Sequence, residues 1–100
     1  MRIKHKFIIV DPILDKVSLE GYFDSSIEEI AVRGESGVDV RVCDYEWILD
    51  IRHQCVEEDV PFLFHQTGAK LLKNGKLYRI MRKFQISQAY RANINCYLIL

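Results

Sequence analysis

Two short polar segments carry the residue types best suited to chemistry, and each follows an apolar run. Glycines let the backbone turn and present N–H groups to an anion. A carboxylate can accept a proton, and an imidazole can transfer protons near neutral pH. The first segment follows residues 30–32 and the second follows residues 62–64. The candidate ligand-binding residues in these segments are Gly34, Glu35, Ser36, Gly37, His65 and Gln66.

Asp11 ends a third apolar run and would complete a grouping of two carboxylates and an imidazole with Glu35 and His65. Such ligands suit a metal ion, but their spacing is not that of a known metal site, and we predict no metal. The glycine segment also lacks the Gly-Lys-Ser/Thr ending of a P-loop and the spacing of a dinucleotide fingerprint. Two simpler interpretations stay open: a tight connection at residues 34–37, and a polar cap of the loop backbone at residues 65–66.

The elements that would position these residues form a strand–loop–helix–strand–loop unit over residues 28–68. Apolar runs predict strands at residues 28–32 and 62–64, and Pro61 ends any helix before the second of them. Strands joined by a helix are usually parallel, so both polar segments should emerge at the same end of the sheet. That end is where open and barrel-shaped α/β proteins bind their ligands.

A helix is predicted between these strands, over residues 45–58. Asp44 is a suitable N-cap, and Glu46 lies near the positive end of the helix dipole. Apolar residues that recur every three or four positions predict a buried stripe. The stripe residues are Ile48, Ile51, Cys55 and Val56.

Further elements complete a single α/β domain over residues 1–100. A first strand at residues 6–10 is apolar in its last four positions, which predicts that both of its faces are covered. The remaining predicted elements are a helical turn at residues 18–24 with Leu19, Tyr22 and Phe23 on one side, a hairpin that joins residues 70–73 to 76–80 through Asn74-Gly75, and a short helix at residues 87–93. The apolar end at residues 96–100 could pair as an edge strand or dock on another surface.

The net charge of zero hides a strong division along the chain. The first 59 residues hold seven Lys or Arg and fourteen Asp or Glu, a net −7, and the last 41 hold seven Lys or Arg and no acid, a net +7. Such asymmetry indicates either a phosphate or nucleic-acid surface, or a basic hairpin that packs on the acidic half of this chain or of a second copy. The basic surface residues are Lys70, Lys73, Lys76, Arg79, Arg82 and Lys83, with Arg91 further along.

Tyr78, Tyr90 and Tyr97 are interleaved with these cations. This arrangement suits base stacking, and ordinary use in strands and core is the alternative. The chain carries no recognisable nucleic-acid fold motif.

Composition also limits the compartment. No apolar run approaches the roughly 18 residues of a membrane span, and the apolar stretch after the basic N-terminus is too short for a signal peptide. We therefore predict a cytoplasmic protein with no membrane partner. Cys43, Cys55 and Cys96 are odd in number and far apart, which favours idle thiols over a disulfide framework or a zinc site.

Several blocks, taken together and in order, resemble an uncharacterised bacterial and phage protein family of unknown function. The blocks lie at residues 33–37, 43–47, 51–55, 60–62, 64–68, 75–78 and 85–89. The resemblance is to the C-terminal half of that family. It implies a partial, half TIM-barrel-like βαβ sheet of mostly parallel strands, followed by the C-terminal hairpin.

The resemblance also implies what this chain lacks. Longer members carry an N-terminal cysteine motif similar to that of radical S-adenosylmethionine proteins, which is missing here, so no cofactor is expected. The family usually has Gly at the position of Arg33 and Lys at that of His65. These departures argue against an inherited catalytic role, and hence against an enzyme.

The leading functional hypothesis is a non-enzymatic module, a prophage-type remnant or a split half. It would act as a homodimer, or with a protein partner such as a separately encoded N-terminal half. Exposed edge strands of a partial barrel need pairing or covering, which supports association. One alternative is a domain that binds or transforms a small molecule or nucleotide phosphate at the strand ends. The other is nucleic-acid binding through residues 70–91.

Overall fold

Six strands and two helices make up the chain in the computed structural model, which describes residues 6–24 and 26–96. In chain order they are β1 (Lys6–Val10), β2 (Ile27–Arg33), β3 (Cys43–Asp44), α1 (Tyr45–Glu57), β4 (Phe62–Gln66), β5 (Lys70–Lys73), β6 (Lys76–Arg79) and α2 (Arg82–Arg91). The fold is mixed α/β, as predicted.

The first sheet is parallel throughout, with the strand order β1-β2-β4. Its middle strand pairs Ala31 with Ile9 on one side and with Leu63 on the other. The register shifts between Val32 and Arg33, so that Arg33 lies opposite Gln66. The predicted parallel arrangement of β2 and β4 is therefore confirmed, and both strands end at the same edge of the sheet.

One face of this sheet forms the core. Ile30, Val32, Phe62 and Phe64 point to the same side because alternate residues of a strand share a face, and all four are buried. Helix α1 supplies the matching stripe through Ile48, Ile51 and Cys55, which are also buried.

The start of α1 follows the prediction closely. The carboxylate of Asp44 accepts a hydrogen bond of 2.9 Å from the backbone N–H of Glu46, and this contact caps the first turn. Val56 is wrong as a stripe residue, since it is 45% exposed.

The prediction that β1 is covered on both faces is wrong. Its bounds agree with the prediction, but Phe7 and Ile9 are each 62% exposed, whereas Ile8 and Val10 pack against the core. A continuous apolar run cannot show which of its alternate side chains meets the protein interior.

A second sheet has the order β3-β5-β6, in which β3 and β5 are parallel and β5 and β6 are antiparallel. The predicted hairpin is confirmed. Asn74 and Gly75 have φ angles of 53° and 74°, the left-handed backbone that a two-residue hairpin turn requires.

The helical turn predicted at residues 18–24 is reduced to a single hydrogen-bonded turn. The N–H of Tyr22 donates to the carbonyl of Leu19 at 3.0 Å, but Leu19 is buried while Tyr22 is exposed, so they do not share a side. The segment is instead held to α1 by Gln54. Its side-chain oxygen accepts from the Leu19 N–H at 2.7 Å, and its Nε2 donates to the carbonyl of Val17 at 2.9 Å.

The C-terminal helix begins five residues before the predicted position and packs on β4. After it, Cys96 pairs with Phe62 in an antiparallel bridge, with N–H···O distances of 2.7 and 2.9 Å. The predicted edge pairing is thus seen at Cys96, and the rest of that segment, with Tyr97, lies outside the described residues. Neither helix among the described residues is long and apolar enough to cross a bilayer.

Candidate functional site

The two polar segments meet at the carboxyl edge of the first sheet. The Gly34 N–H donates to the carbonyl of Gln66 at 3.0 Å, and the Gln66 Nε2 donates back to the carbonyl of Gly34 at 3.3 Å. The Ala69 N–H donates to the carbonyl of Glu35 at 2.9 Å. The backbone N–H groups of Gly34 and Ala69 are therefore used in hydrogen bonds between the two loops.

These contacts require glycine at two positions. A Cβ on Gly34 would lie 2.3 Å from the backbone oxygen of Thr67, and a Cβ on Gly68 would lie 2.8 Å from the backbone nitrogen of Glu35. Only glycine lets the two backbones come so close. The glycines form a closed junction between neighbouring strands, which is the tight-connection interpretation.

Glu35 is held by Arg41 rather than left free in a cleft. Its two carboxylate oxygens accept from the Arg41 Nη2 at 2.8 Å, from its Nε at 3.2 Å and from its backbone N–H at 2.8 Å. These hydrogen bonds, first those of the side chain, lower the pKa of Glu35 from 4.5 to about 2. We call this contact the Glu35–Arg41 clasp. It keeps Glu35 ionised near neutral pH and unsuited to proton transfer there.

Two further residues of the first segment, Ser36 and Gly37, lie between Glu35 and Arg41. Gly37 has a φ of 124°, and Ser36 Oγ is buried without a hydrogen-bond partner among the described residues. Asp11, which directly follows β1, forms an ion pair with Arg33 at the end of β2, where its Oδ2 lies 3.4 Å from Arg33 Nη1. No group of three His, Cys, Asp or Glu within residues 6–24 and 26–96 could hold a metal ion, so Asp11, Glu35 and His65 do not form the considered grouping.

On the face of the first sheet opposite α1, Phe7 and Ile9 are mostly exposed, whereas Ala31 and Leu63 are half-buried. We call this face the open face. A cavity of about 250 Å³ lies on it. The open-face residues that line this cavity are Phe7, Ile9, Glu29, Ala31, Arg33, Leu63 and His65.

Two nitrogen atoms near the carboxyl edge of the open face lack a hydrogen-bond partner among the described residues. Arg33 Nε and His65 Nδ1 are buried and have no hydrogen-bond partner in the described part of the chain. Buried polar atoms are normally hydrogen-bonded, which makes these two nitrogens exceptions within the described residues. The sequence pointed to His65 but missed Phe7, Ile9 and Glu29, whose alternation along β1 and β2 was the available signal.

Within residues 6–24 and 26–96, the basic surface forms no ion pair with the acidic half of the chain. The four ion pairs found there, Lys6–Asp24, Arg33–Asp11, Arg41–Glu35 and His53–Glu57, all lie before residue 60. The hairpin nevertheless packs on the acidic half, because β5 pairs in parallel with β3 and contacts α1. The cations contact aromatic rings: Lys73 Nζ lies 4.8 Å from the ring centre of Tyr45, and Lys76 Nζ lies 5.2 Å from that of Tyr78.

A second cavity, of about 240 Å³, opens beside these rings, between the start of α1, the hairpin and the end of α2. We call it the tyrosine pocket. The tyrosine-pocket residues are Tyr45, Phe64, Thr67, Leu71, Lys73, Tyr78, Ile80, Gln88, Arg91 and Ala92. It lies where β3 and β5 end, and Thr67 of the second polar segment also lines it. Tyr90 is not part of it and stays exposed.

Two of the three thiols are held in the protonated form. Burial raises the pKa of Cys43 and of Cys55 to about 12, which leaves both protonated at neutral pH, and neither they nor Cys96 form a disulfide.

Comparison with known families gives one match. A family model described as "Protein of unknown function (DUF5131)" matches residues 1–92. No curated protein and no solved structure matches the chain significantly.

Proposed function

The chain belongs to this uncharacterised family, and from its geometry we propose that it is a non-enzymatic association module whose open face is covered by a second copy of the chain. The competing hypothesis is that the chain is a prophage-type remnant or a split half, which would associate with a separately encoded N-terminal partner. The two differ in what covers the open face.

The observation that carries the proposal is an apolar sheet face exposed to water. Parallel sheets occur almost only with both faces covered, yet this one is covered by α1 on one side only, among the described elements. Phe7 and Ile9, side by side on β1, stay mostly exposed. A contiguous apolar patch rimmed by polar residues is typical of an interaction surface.

The residues across the middle of the open face favour a second copy. Ile9, Ala31 and Leu63 form one row across the three strands, because each pairs with the next in the register. A two-fold axis along this row would place two open faces together, with their β2 strands antiparallel. The small side chain of Ala31 at the centre lets the sheets approach to the usual spacing of about 10 Å.

Charge fits the same arrangement. Glu29 and Arg33 lie on the open face two residues before and two residues after Ala31. The two-fold axis would therefore set Glu29 of each copy against Arg33 of the other, twice in one dimer. Glu29 forms no ion pair within the described residues, so it is available for such a contact. Complementary charges of this kind fix the orientation of an interface.

The test is the mass of the chain in solution, by sedimentation velocity from micromolar to millimolar concentration. We expect a monomer–dimer equilibrium that Ile9→Lys abolishes, because the two-fold axis would bring the cations of the two copies together within the interface. Val38→Lys is the matched control, since Val38 is 92% exposed and lies outside the open face. It should dimerise like the unaltered chain.

Two results would contradict the proposal. A monomer at every concentration would show that no second copy covers the open face, and would leave the separately encoded partner as the explanation. A dimer that Ile9→Lys leaves intact would place the contact on another surface.

A further inference from the structure

We propose that the tyrosine pocket binds a nucleotide, with the nucleobase against Tyr78 and the phosphate between Lys73 and Arg91. This inference is independent of the proposed dimer, because the tyrosine pocket and the open face share no residue.

The wall of the tyrosine pocket suits a planar ring. Tyr45 and Phe64 line it with ring centres 6.3 Å apart and planes tilted by 55°, and both are buried. Tyr78 also lines the cavity and is 40% exposed. Stacking on such a ring is available to every base, because each base has a π face.

The charges of the tyrosine pocket suit an anion. Two of its lining residues, Lys73 and Arg91, are cations, and none is a carboxylate. Neither cation has an ion-pair partner among the described residues. Lys76 lies over the ring of Tyr78 and adds a third positive charge next to the stacking position. Cations without a carboxylate partner mark a place where a phosphate can bind.

Gln88 supplies the polar group that a base edge requires. It lines the tyrosine pocket, and its amide can both donate and accept hydrogen bonds, which matches the mixed edges of a nucleobase. An aromatic face, an amide and paired cations in one cavity correspond to the three parts of a nucleotide. The volume of about 240 Å³ limits the enclosed part to a single base.

The nucleotide could be free or could be one unit of a single strand, and titration calorimetry separates the two sources. The probes are adenosine, inorganic phosphate, adenosine monophosphate and a short oligothymidylate. We expect the monophosphate or the oligonucleotide to bind at least about tenfold more tightly than adenosine or phosphate alone, because base and phosphate are held together. Tight binding of the oligonucleotide with a steep salt dependence would identify a strand as the source.

Three variants locate the site. Tyr78→Ala and Arg91→Gln should each weaken binding about tenfold, by loss of stacking and of a phosphate contact. Lys83→Gln is the matched control, since it removes the same charge from the same half outside the tyrosine pocket. Circular dichroism melting checks that all three stay folded.

The proposal is overturned if no probe binds at millimolar concentration, or if phosphate alone binds as well as the monophosphate. It is also overturned if Lys83→Gln weakens binding as much as Arg91→Gln, which would show general attraction to the basic surface.

Discussion

The two faces of the first sheet are built from the same three strands and yet differ in completeness. On the core face, Ile30, Val32 and Phe62 are fully buried beneath α1. On the open face, Phe7 and Ile9 are mostly exposed, and the buried Arg33 Nε has no partner in the described part of the chain. The core face is covered within one chain, whereas the open face is the surface that the proposed dimer would cover.

The difference teaches where to look for function in a chain of this size. The glycine segments at the carboxyl edge are closed by their own hydrogen bonds. The open face, by contrast, exposes Phe7 and Ile9. The tyrosine pocket holds Lys73 and Arg91 without an ion-pair partner in the described part of the chain. Exposed apolar side chains and cations without carboxylate partners are the features that we connect with function.

Two isoleucines test the comparison with the largest expected effect. Ile30→Ala should lower the free energy of unfolding by about 2–5 kcal/mol, because it leaves a cavity under α1. Ile9→Ala should change the same quantity by no more than about 0.5 kcal/mol in dilute solution, where the open face meets water. Urea unfolding at micromolar concentration measures both.

The concentration dependence of the Ile9 variant sharpens this result. Its destabilisation relative to the unaltered chain should grow with protein concentration, since only the dimer buries Ile9. If Ile9→Ala costs as much as Ile30→Ala even in dilute solution, the open face is covered within a single chain and the comparison fails.

Two glutamates on β2 and just after it give a smaller, pH-dependent test. The pKa of Glu35 is lowered to about 2 in the folded chain, so the clasp stabilises fully above its ordinary value of 4.5 and is lost as the pH falls towards 2. Glu35→Gln should therefore lower the melting temperature at neutral pH and reduce its fall between those two pH values. Thermal melts across that range measure the effect.

Glu29→Gln is the matched control for this experiment. Glu29 lies on the open face and outside the clasp, so its substitution should leave the melting of the dilute chain nearly unchanged and weaken association instead. Equal loss of melting temperature in the two variants would contradict the different roles given to these carboxylates.

Much of the fold could be predicted from the sequence because its signals are local. The strand bounds of β1, the parallel pair around α1 and the Asn74-Gly75 turn follow from apolar runs, a helix-length spacer and a turn dipeptide. The start of α2 was missed, since Met81 makes no side-chain capping bond and the first turn holds no acid.

The candidate site was harder to predict because it depends on contacts between distant residues. The sequence shows that Glu35 follows a strand. Its ion pair with Arg41, however, depends on how the loop between the two residues folds back. The exposure of Phe7 depends on which alternate face α1 covers. The tyrosine pocket joins Tyr45 to Tyr78 and Arg91, which no sequence spacing connects.

The most direct test of the account is a charge exchange across the proposed two-fold axis, read as mass by sedimentation equilibrium. Glu29→Arg and Arg33→Glu should each prevent self-association, because each sets like charges against one another. Their equimolar mixture should form a 1:1 heterodimer, because the exchanged charges then face opposite ones. A mixture that stays monomeric, or single variants that dimerise like the unaltered chain, would contradict a dimer built on the open face.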